Sequence, residues 1–357
     1  MQILDYLYKY QNISFKELPF NEIDALLLSL VAYSPFDEIK LTKSKTKSKK
    51  LYELISSFDV RNETSERKLK YLELTKAICR SSRFQKAKFC YFRKRRDTNF
   101  AKQFQAITIV VKQFAFVAFC GTDSTTLGWK EDFDMAYLDV VPSEIEAINY
   151  LNEVARHFLF KKIYLGGHSK GGRLAISAAK GMKKKRKLLG VYAFDAPNYP
   201  MSFYDETYKE IDYLIHPYAP EESIIGRLMP SFKKKRIISS TNKLLMQHDA
   251  FSWLVSECSF VYKSKYTDRS THIVDTVNYA LNNYEEEGKR DFINTIFDLL
   301  YRLNIEKLPN EKEFIPYFIN NISSIKEEWN NTSKEKRALV KKTLFDLAKD
   351  YLLKKRD

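Results

Sequence analysis

The chain has 357 residues, 44% hydrophobic and 29% charged, with a formal net charge of +15; this is globular composition, long enough for one large α/β domain with an appended piece or for two domains. No run approaches the roughly 18 apolar residues of a membrane span, and residues 1–20 lack the basic-then-apolar order of a signal peptide. Cys79, Cys90, Cys120 and Cys258 show no CxxC spacing, which argues against a disulfide framework or a zinc site and leads us to expect a cytoplasmic protein.

Residues 21–33 (NEIDALLLSLVAY) carry apolar side chains at helical spacing behind a capping Asn21. A Lys/Ser-rich stretch over 40–50 reads as an exposed loop, and 51–58 and 65–79 read as helices. Strands follow: AKFCYFRKR, then FQAITIVV and FAFVAFCGTD, which form a hairpin across Lys112 and Gln113. After Pro142, Ser143 and Glu146 form a capping box in front of a helix. KIYLGGHS, LLGVYAFDAPNY and EIDYLIHPYAP are apolar strands, with a helix over KGGRLAISAAKGM. Strands alternating with helices predict a mostly parallel central sheet flanked by helices. From about residue 271 onward the pattern is helical only. The expected organisation is an N-terminal helical segment over 1–80, an α/β core over 81–265 and a helical C-terminal extension over 266–357.

Four of the ten glycines fall within seven positions, Gly166, Gly167, Gly171 and Gly172, around Ser169. Gly167-His168-Ser169-Lys170-Gly171 matches G-x-S-x-G between a predicted strand and a predicted helix, the setting in which that motif forms a nucleophile elbow. No phosphate-binding glycine pattern is present. A nucleophilic serine needs a base, an acid and oxyanion donors. In the order Ser, acid, His, only His216, His248 and His272 follow Ser169. His216 precedes any acid after the next strand, and His272 begins a surface helix, so His248, on a loop before an apolar aromatic helix, is the expected base. For the acid, Glu222 is favoured, Glu221 is second, and Asp195 is third, because some hydrolases shift the acid by one strand. Asp249, beside the histidine, is poorly placed to reach its Nδ1. The Lys170 N–H and Thr122 are the expected oxyanion donors, and Cys120 reads as a small buried residue.

Together, AFCGTDSTTLGWKEDF, YLGGHSKGG, YAFDAPNY, PEESIIGRL and QHDAFSW resemble the class 3 lipase branch of the α/β-hydrolases, and more closely a bacterial lipase-like group (Mbeg-like). NEIDALLLSLVAYSPF is similar to that group's N-terminal helix. The resemblance implies an α/β-hydrolase fold. It also implies that Ser169 is the nucleophile, that His248 is the histidine, and that Thr122, with Trp129 and Asp132 downstream, is a side-chain oxyanion donor. Two departures stand out. Cys120 occupies a position usually held by arginine, and Glu222-Ser223-Ile224-Ile225 stands where an aspartate in a D-P-V-P-like context is typical.

The expected function is a serine esterase or lipase acting on a small acyl ester or lipid such as a lysophospholipid or monoacylglycerol. It needs no metal or organic cofactor, and residues 123–142 or part of the helical tail would serve as a lid. The alternative is a catalytically weak or inactive hydrolase-fold relative that binds a partner or an anionic membrane surface. Positive runs at Lys43–Lys50, Arg93–Arg96, Lys183–Lys187 and Lys233–Arg236 favour peripheral contact with an anionic membrane or plain solvation. No nucleic-acid-binding pattern accompanies them, so no nucleic acid is expected.

Overall fold

The computed structural model describes residues 1–36, 49–50, 66–84, 87–231, 233–306 and 321–353. Of the exposed loop expected over 40–50, residues 40–48 lie outside them, as does the helix expected over 51–58; residues 49–50 are instead a short strand, paired antiparallel with residues 88–89. By its internal contacts the chain divides into two units. One comprises 1–95, 104–121 and 143–270, and the other 96–103, 122–142 and 271–357. The N-terminal helices thus belong with the α/β core, and the C-terminal helices share a unit with two short insertions from it.

In the first unit lies most of a sheet of nine strands among the described residues, in the order β1-β2-β3-β4-β5-β6-β7-β8-β11. Its central strands are β3 (Lys102–Val110), β4 (Ala115–Phe119), β5 (Ile163–His168), β6 (Leu188–Phe194), β7 (Ile215–Pro220) and β8 (Arg236–Ile238). β3 and β4 pair antiparallel, joined by the expected tight connection, in which Val111 N donates to Phe114 O at 3.0 Å. From β4 to β8 every pairing is parallel. β1 (Lys49–Lys50) and β2 (Lys88–Asp97) continue one edge, while β11 (Tyr262–Lys263) closes the other; β9 (Val255–Ser256) and β10 (Ser259–Phe260) form a separate small pair. This is the mostly parallel, helix-flanked α/β sheet the strand pattern predicts.

Period-two alternation gives each strand two buried faces. Phe116 and Ala118 join Ile107 and Ile109 in a core with α1 (Ile3–Tyr10), α2 (Glu22–Val31) and α3 (Glu66–Arg80). Ala115, Val117 and Phe119 face the opposite way, against α5 (Pro142–His157) and α6 (Lys170–Lys180). Asn21 caps α2 as expected, accepting from the backbone N–H groups of Ile23 and Asp24. The expected capping box at Ser143 does not form. The helix starts one residue earlier, at Pro142, whose fixed φ suits a first helical position, and Glu146 is drawn instead to Arg93 Nη1 at 3.1 Å.

Inside this core, α6 is locked to α5 by a fully buried ion pair, Arg173 Nε to Glu144 Oε1 at 2.9 Å. Ser177 Oγ donates to the same oxygen at 2.8 Å, and Arg173 Nη1 donates to Asn198 O at 2.5 Å. The second unit has its own small core of Ile293, Phe297, Leu300 and Ile305 against Trp129 and Tyr137. It is built from α4 (Thr126–Asp134), α8 (Asp268–Asn283), α9 (Glu286–Arg302), α10 (Ile322–Asn331) and α11 (Lys334–Leu353). A single turn, α7 (Glu206–Lys209), lies between β6 and β7 in sequence. No helix among the described residues is long and apolar enough to cross a membrane.

Candidate active site

β5 ends at His168, and α6 begins at Lys170, so Ser169 makes the whole strand-to-helix turn. Its backbone sits at φ +57°, ψ −135°, a conformation that non-glycine residues rarely adopt. The neighbouring glycines permit the bend. A Cβ on Gly167 would lie 2.2 Å from the Gly171 backbone, so strand and helix cross too closely for any side chain there. The end of β4 abuts the same turn: a Cβ on Gly121 would stand 3.2 Å from Ser169 Cβ.

His248 closes a 3₁₀ turn, Leu244–His248. A second short turn, Ala250–Ser252, follows in place of the aromatic helix that the sequence leads one to expect. Asp249 caps it by accepting from Phe251 N at 3.1 Å, and the buried Trp253 donates its indole N–H to Gln247 O at 2.7 Å. Those two bonds tie the chain into consecutive tight turns and end helical growth. Asp249 also holds Lys70 at 2.6 Å, so its carboxylate is engaged away from the histidine ring.

The carboxylate that meets His248 is Asp195, whose Oδ2 lies 2.6 Å from His248 Nδ1. Glu222, the favoured acid in the sequence reading, does not reach the ring. Its Oε2 accepts from Leu244 N at 2.7 Å and from Gln247 Nε2 at 3.3 Å, and Gln247 Oε1 in turn accepts from Glu222 N at 2.9 Å. Glu222 therefore braces the turn that carries His248. Glu221 is occupied elsewhere, with Ser239 Oγ at 3.3 Å and Lys263 Nζ at 3.3 Å.

Asp195 lies one strand earlier than expected, directly after β6, at φ +46°, with its N–H donated to Tyr218 O at 2.8 Å. Aspartate tolerates this left-handed region better than most residues. Its side chain is almost completely buried, and Ser223 Oγ donates to Oδ1 at 2.5 Å. The turn containing Ser223 can press against the carboxylate because Gly226 has no Cβ; one there would fall 2.1 Å from Oδ1. Burial alone would push the Asp195 carboxyl up. The bond and charge of His248, the Ser223 hydroxyl and the nearby His168 outweigh it and hold the carboxyl below its ordinary range. An ionised carboxylate on Nδ1 fixes the proton there and leaves Nε2 as the basic nitrogen.

Two residues that the motif reading passed over tie histidine and serine together. His168 Nε2 lies 2.8 Å from the His248 carbonyl, so that nitrogen carries the proton; Nδ1 then faces Tyr33 Oη at 3.3 Å as an acceptor. Tyr33 Oη also lies 3.0 Å from His168 O, so its single proton is shared between that carbonyl and Nδ1. The His168 and His248 rings are 4.5 Å apart, centre to centre. The only sequence signal for this arrangement is the histidine inside the G-x-S-x-G motif itself.

Behind Asp195, the half-buried Lys235 donates Nζ to Ala196 O at 2.5 Å and also to Gly226 O. Burial pushes its ammonium down to about 8, against the pull of the Asp195 carboxylate. Of the rejected histidines, His216 stacks on Tyr192 within the sheet, and His272 lies in α8. In the second unit, Thr122 Oγ1 donates to Asp132 Oδ2 at 2.5 Å, joining the threonine to the aspartate of the W-x-x-D sequence. No cluster of three or more His, Cys, Asp or Glu side chains suited to a metal occurs among the described residues.

The family model described as Mbeg1-like matches residues 78–298, which include Ser169, Asp195, Glu222 and His248. The chain belongs to the Mbeg1-like family. The Mbeg1-like match agrees with the resemblance carried by the motifs around Gly121, Ser169 and His248. Comparison with curated proteins gives no significant match. Solved structures similar to this Mbeg1-like chain include a mutant form of MDLA from Penicillium cyclopium, at 14% identity, 66% of this chain, 82% of that chain and TM-score 0.41. A lipase from Rhizopus microsporus var. chinensis is similar at 12% identity, 70% and 80% coverage and TM-score 0.40. M37 lipase is similar at 16% identity, 59% and 70% coverage and TM-score 0.37.

Proposed function

We propose that this chain is a serine hydrolase of acyl esters. Ser169 attacks the ester carbonyl, while His248 takes the hydroxyl proton through Nε2 and later delivers it to the leaving alcohol. Asp195 holds the Nδ1–H tautomer and stabilises the imidazolium, the role the sequence reading gave first to Glu222. The Lys170 N–H, at the first position of α6, is an oxyanion donor. Water then cleaves the acyl-enzyme by the same route, with no metal or organic cofactor taking part. The resemblance to class 3 lipase motifs favours a lipid-derived ester such as a monoacylglycerol or lysophospholipid.

The observation that carries this reading is the 2.6 Å bond between Asp195 and His248, on a loop tethered to His168, the residue before a strained serine. A buried carboxylate on Nδ1 makes an imidazole a directed base, and a serine forced to φ +57° has its hydroxyl presented for reaction. The test is a fluorophosphonate probe, together with p-nitrophenyl esters from acetyl to palmitoyl, monoacylglycerol and lysophospholipid. Labelling and turnover of the native protein, both abolished in Ser169→Ala, are expected. Absence of labelling where a control hydrolase reacts would overturn the proposal.

A further inference from the structure

β4, β5 and β6 run parallel, so all three begin at the sheet end opposite Ser169. Three connections are bonded together there. Lys161 Nζ donates to Val111 O at 2.9 Å and to Lys112 O at 2.5 Å, joining the loop before β5 to the hairpin turn before β4. Lys162 Nζ donates to Arg186 O at 2.8 Å, and Lys187 Nζ donates to Ala155 O at 2.8 Å and Phe158 O at 2.7 Å. The segments so joined, 111–114, 158–162 and 181–187, contain many lysines and no aspartate or glutamate. Glu210 pairs with Lys185 at 2.5 Å. The Lys187 ammonium is pushed down by burial and then by the charges of Lys184 and Arg186, as expected of a crowded cation cluster.

From the middle of this charge two apolar side chains project into solvent: Phe160 is 99% exposed and Leu159 58% exposed. A phenylalanine wholly in water gains by entering an apolar medium, and lysines beside it gain by approaching phosphates. Both are satisfied together at the surface of an anionic bilayer, where the ring sits at headgroup depth and the lysines meet lipid phosphates. A nucleic-acid duplex would satisfy the lysines alone. We propose that this end of the sheet docks on anionic phospholipid membranes through Leu159 and Phe160, with Lys112, Lys162, Lys183 and Lys184 as the surrounding charges. At about 3.3 Å per residue along the six residues of β5, this leaves Ser169 roughly 20 Å from the docking end and turned away from the bilayer. The inference does not depend on the hydrolase reading.

The experiment is flotation of the full chain with phosphatidylcholine vesicles, with and without one-third phosphatidylglycerol, at low and high salt. Binding to the anionic vesicles only, falling at least tenfold at high salt, is expected. Lys183→Glu/Lys184→Glu should weaken it by tenfold or more, and Leu159→Ser/Phe160→Ser by at least fivefold. These side chains are exposed, so both variants should match the native melting temperature. The proposal is overturned by no binding to anionic vesicles at low salt, or by binding that both variants retain. It is also overturned if an oligonucleotide is bound more tightly than vesicles whether or not Leu159 and Phe160 are replaced.

Discussion

Asp195→Asn separates the two candidate acids because its effect follows from hydrogen-bond polarity. In the native site Oδ1 accepts from Ser223, and Oδ2 faces His248 Nδ1 at 2.6 Å. If the asparagine oxygen keeps the Ser223 bond, its NH₂ group points at Nδ1. The ring must then accept there and carry its proton on Nε2, where no base remains for Ser169. If the amide is flipped, the Nδ1 bond survives without the negative charge that stabilises the imidazolium, and Ser223 must turn to accept. In a site this buried no water replaces either loss. The expected cost in the rate of fluorophosphonate labelling and ester turnover is about 10³- to 10⁴-fold, or about 4–5 kcal/mol of activation barrier. Glu222→Gln keeps an oxygen for Leu244 N and should change the rate by less than about tenfold, the value of one ordinary hydrogen bond. Labelling of Asp195→Asn within tenfold of native, with Glu222→Gln down a hundredfold, would return the acid role to Glu222. Because the Asp195 carboxyl is held below its ordinary range, its contribution to stability is complete above about pH 4 and is lost as pH falls through the lowered native value. The difference in unfolding free energy between native and Asp195→Asn proteins should therefore hold steady from pH 6 to about pH 4 and shrink on further acidification.

Gly226→Ala places a methyl 2.1 Å from Asp195 Oδ1 and 2.9 Å from Ser223 Oγ; labelling should fall at least thirtyfold, with a loss of about 1–3 kcal/mol in denaturant unfolding. Tyr33→Phe removes the bonds to His168 and should lower stability by about 1 kcal/mol, with a several-fold fall in labelling rate. Arg173→Met leaves Glu144 charged and buried and should cost about 3–5 kcal/mol in urea unfolding, most of it recovered when Glu144→Met is added. For Lys235, with a native value of about 8, the unfolded chain holds more protons up to about pH 10.4, so stability rises with pH in that window. Native protein should gain on the order of 1–3 kcal/mol relative to Lys235→Met between pH 8 and pH 10, read by denaturant midpoints.

What could be read without coordinates was what is local in the chain. The strand-to-helix turn at Ser169 shows itself because the crowding it creates, between Gly167 and Gly171, is met by residues four positions apart. Order and elimination single out His248, and the structure sets a carboxylate against its ring. Which carboxylate that is does not follow from order. Asp195 and Glu222 each follow a parallel strand, β6 and β7, and which one meets His248 depends on how a loop 26 to 53 residues downstream packs. The deciding features were small ones: Ser223 and Gly226 make room for the Asp195 carboxylate, while Gln247 captures Glu222. His168 and Tyr33 were invisible for the same reason, since 135 residues separate hydroxyl and imidazole. The helix expected after His248 failed because Trp253 and Asp249 spend their hydrogen bonds on consecutive turns.

The same contacts weigh between a working hydrolase and a binding relic. His248 is held at three points: its ring by Asp195, its carbonyl by His168, and its turn by the Glu222–Gln247 pair. Each removes a freedom that a base must not have if it is to meet one hydroxyl in one orientation. Ser169 and Asp195 both sit at positive φ, at a cost on the order of 1–3 kcal/mol each, and the carboxylate is kept ionised in the interior. None of this strain improves a binding surface. Replacing Asp195 and Ser169 by glycine would relieve both backbone strains, and replacing Asp195 by leucine would remove the buried charge, so a protein that only bound a partner would be more stable for the change. Strain retained in two residues of one site, beside a histidine fixed at three points, favours chemistry over docking at Ser169.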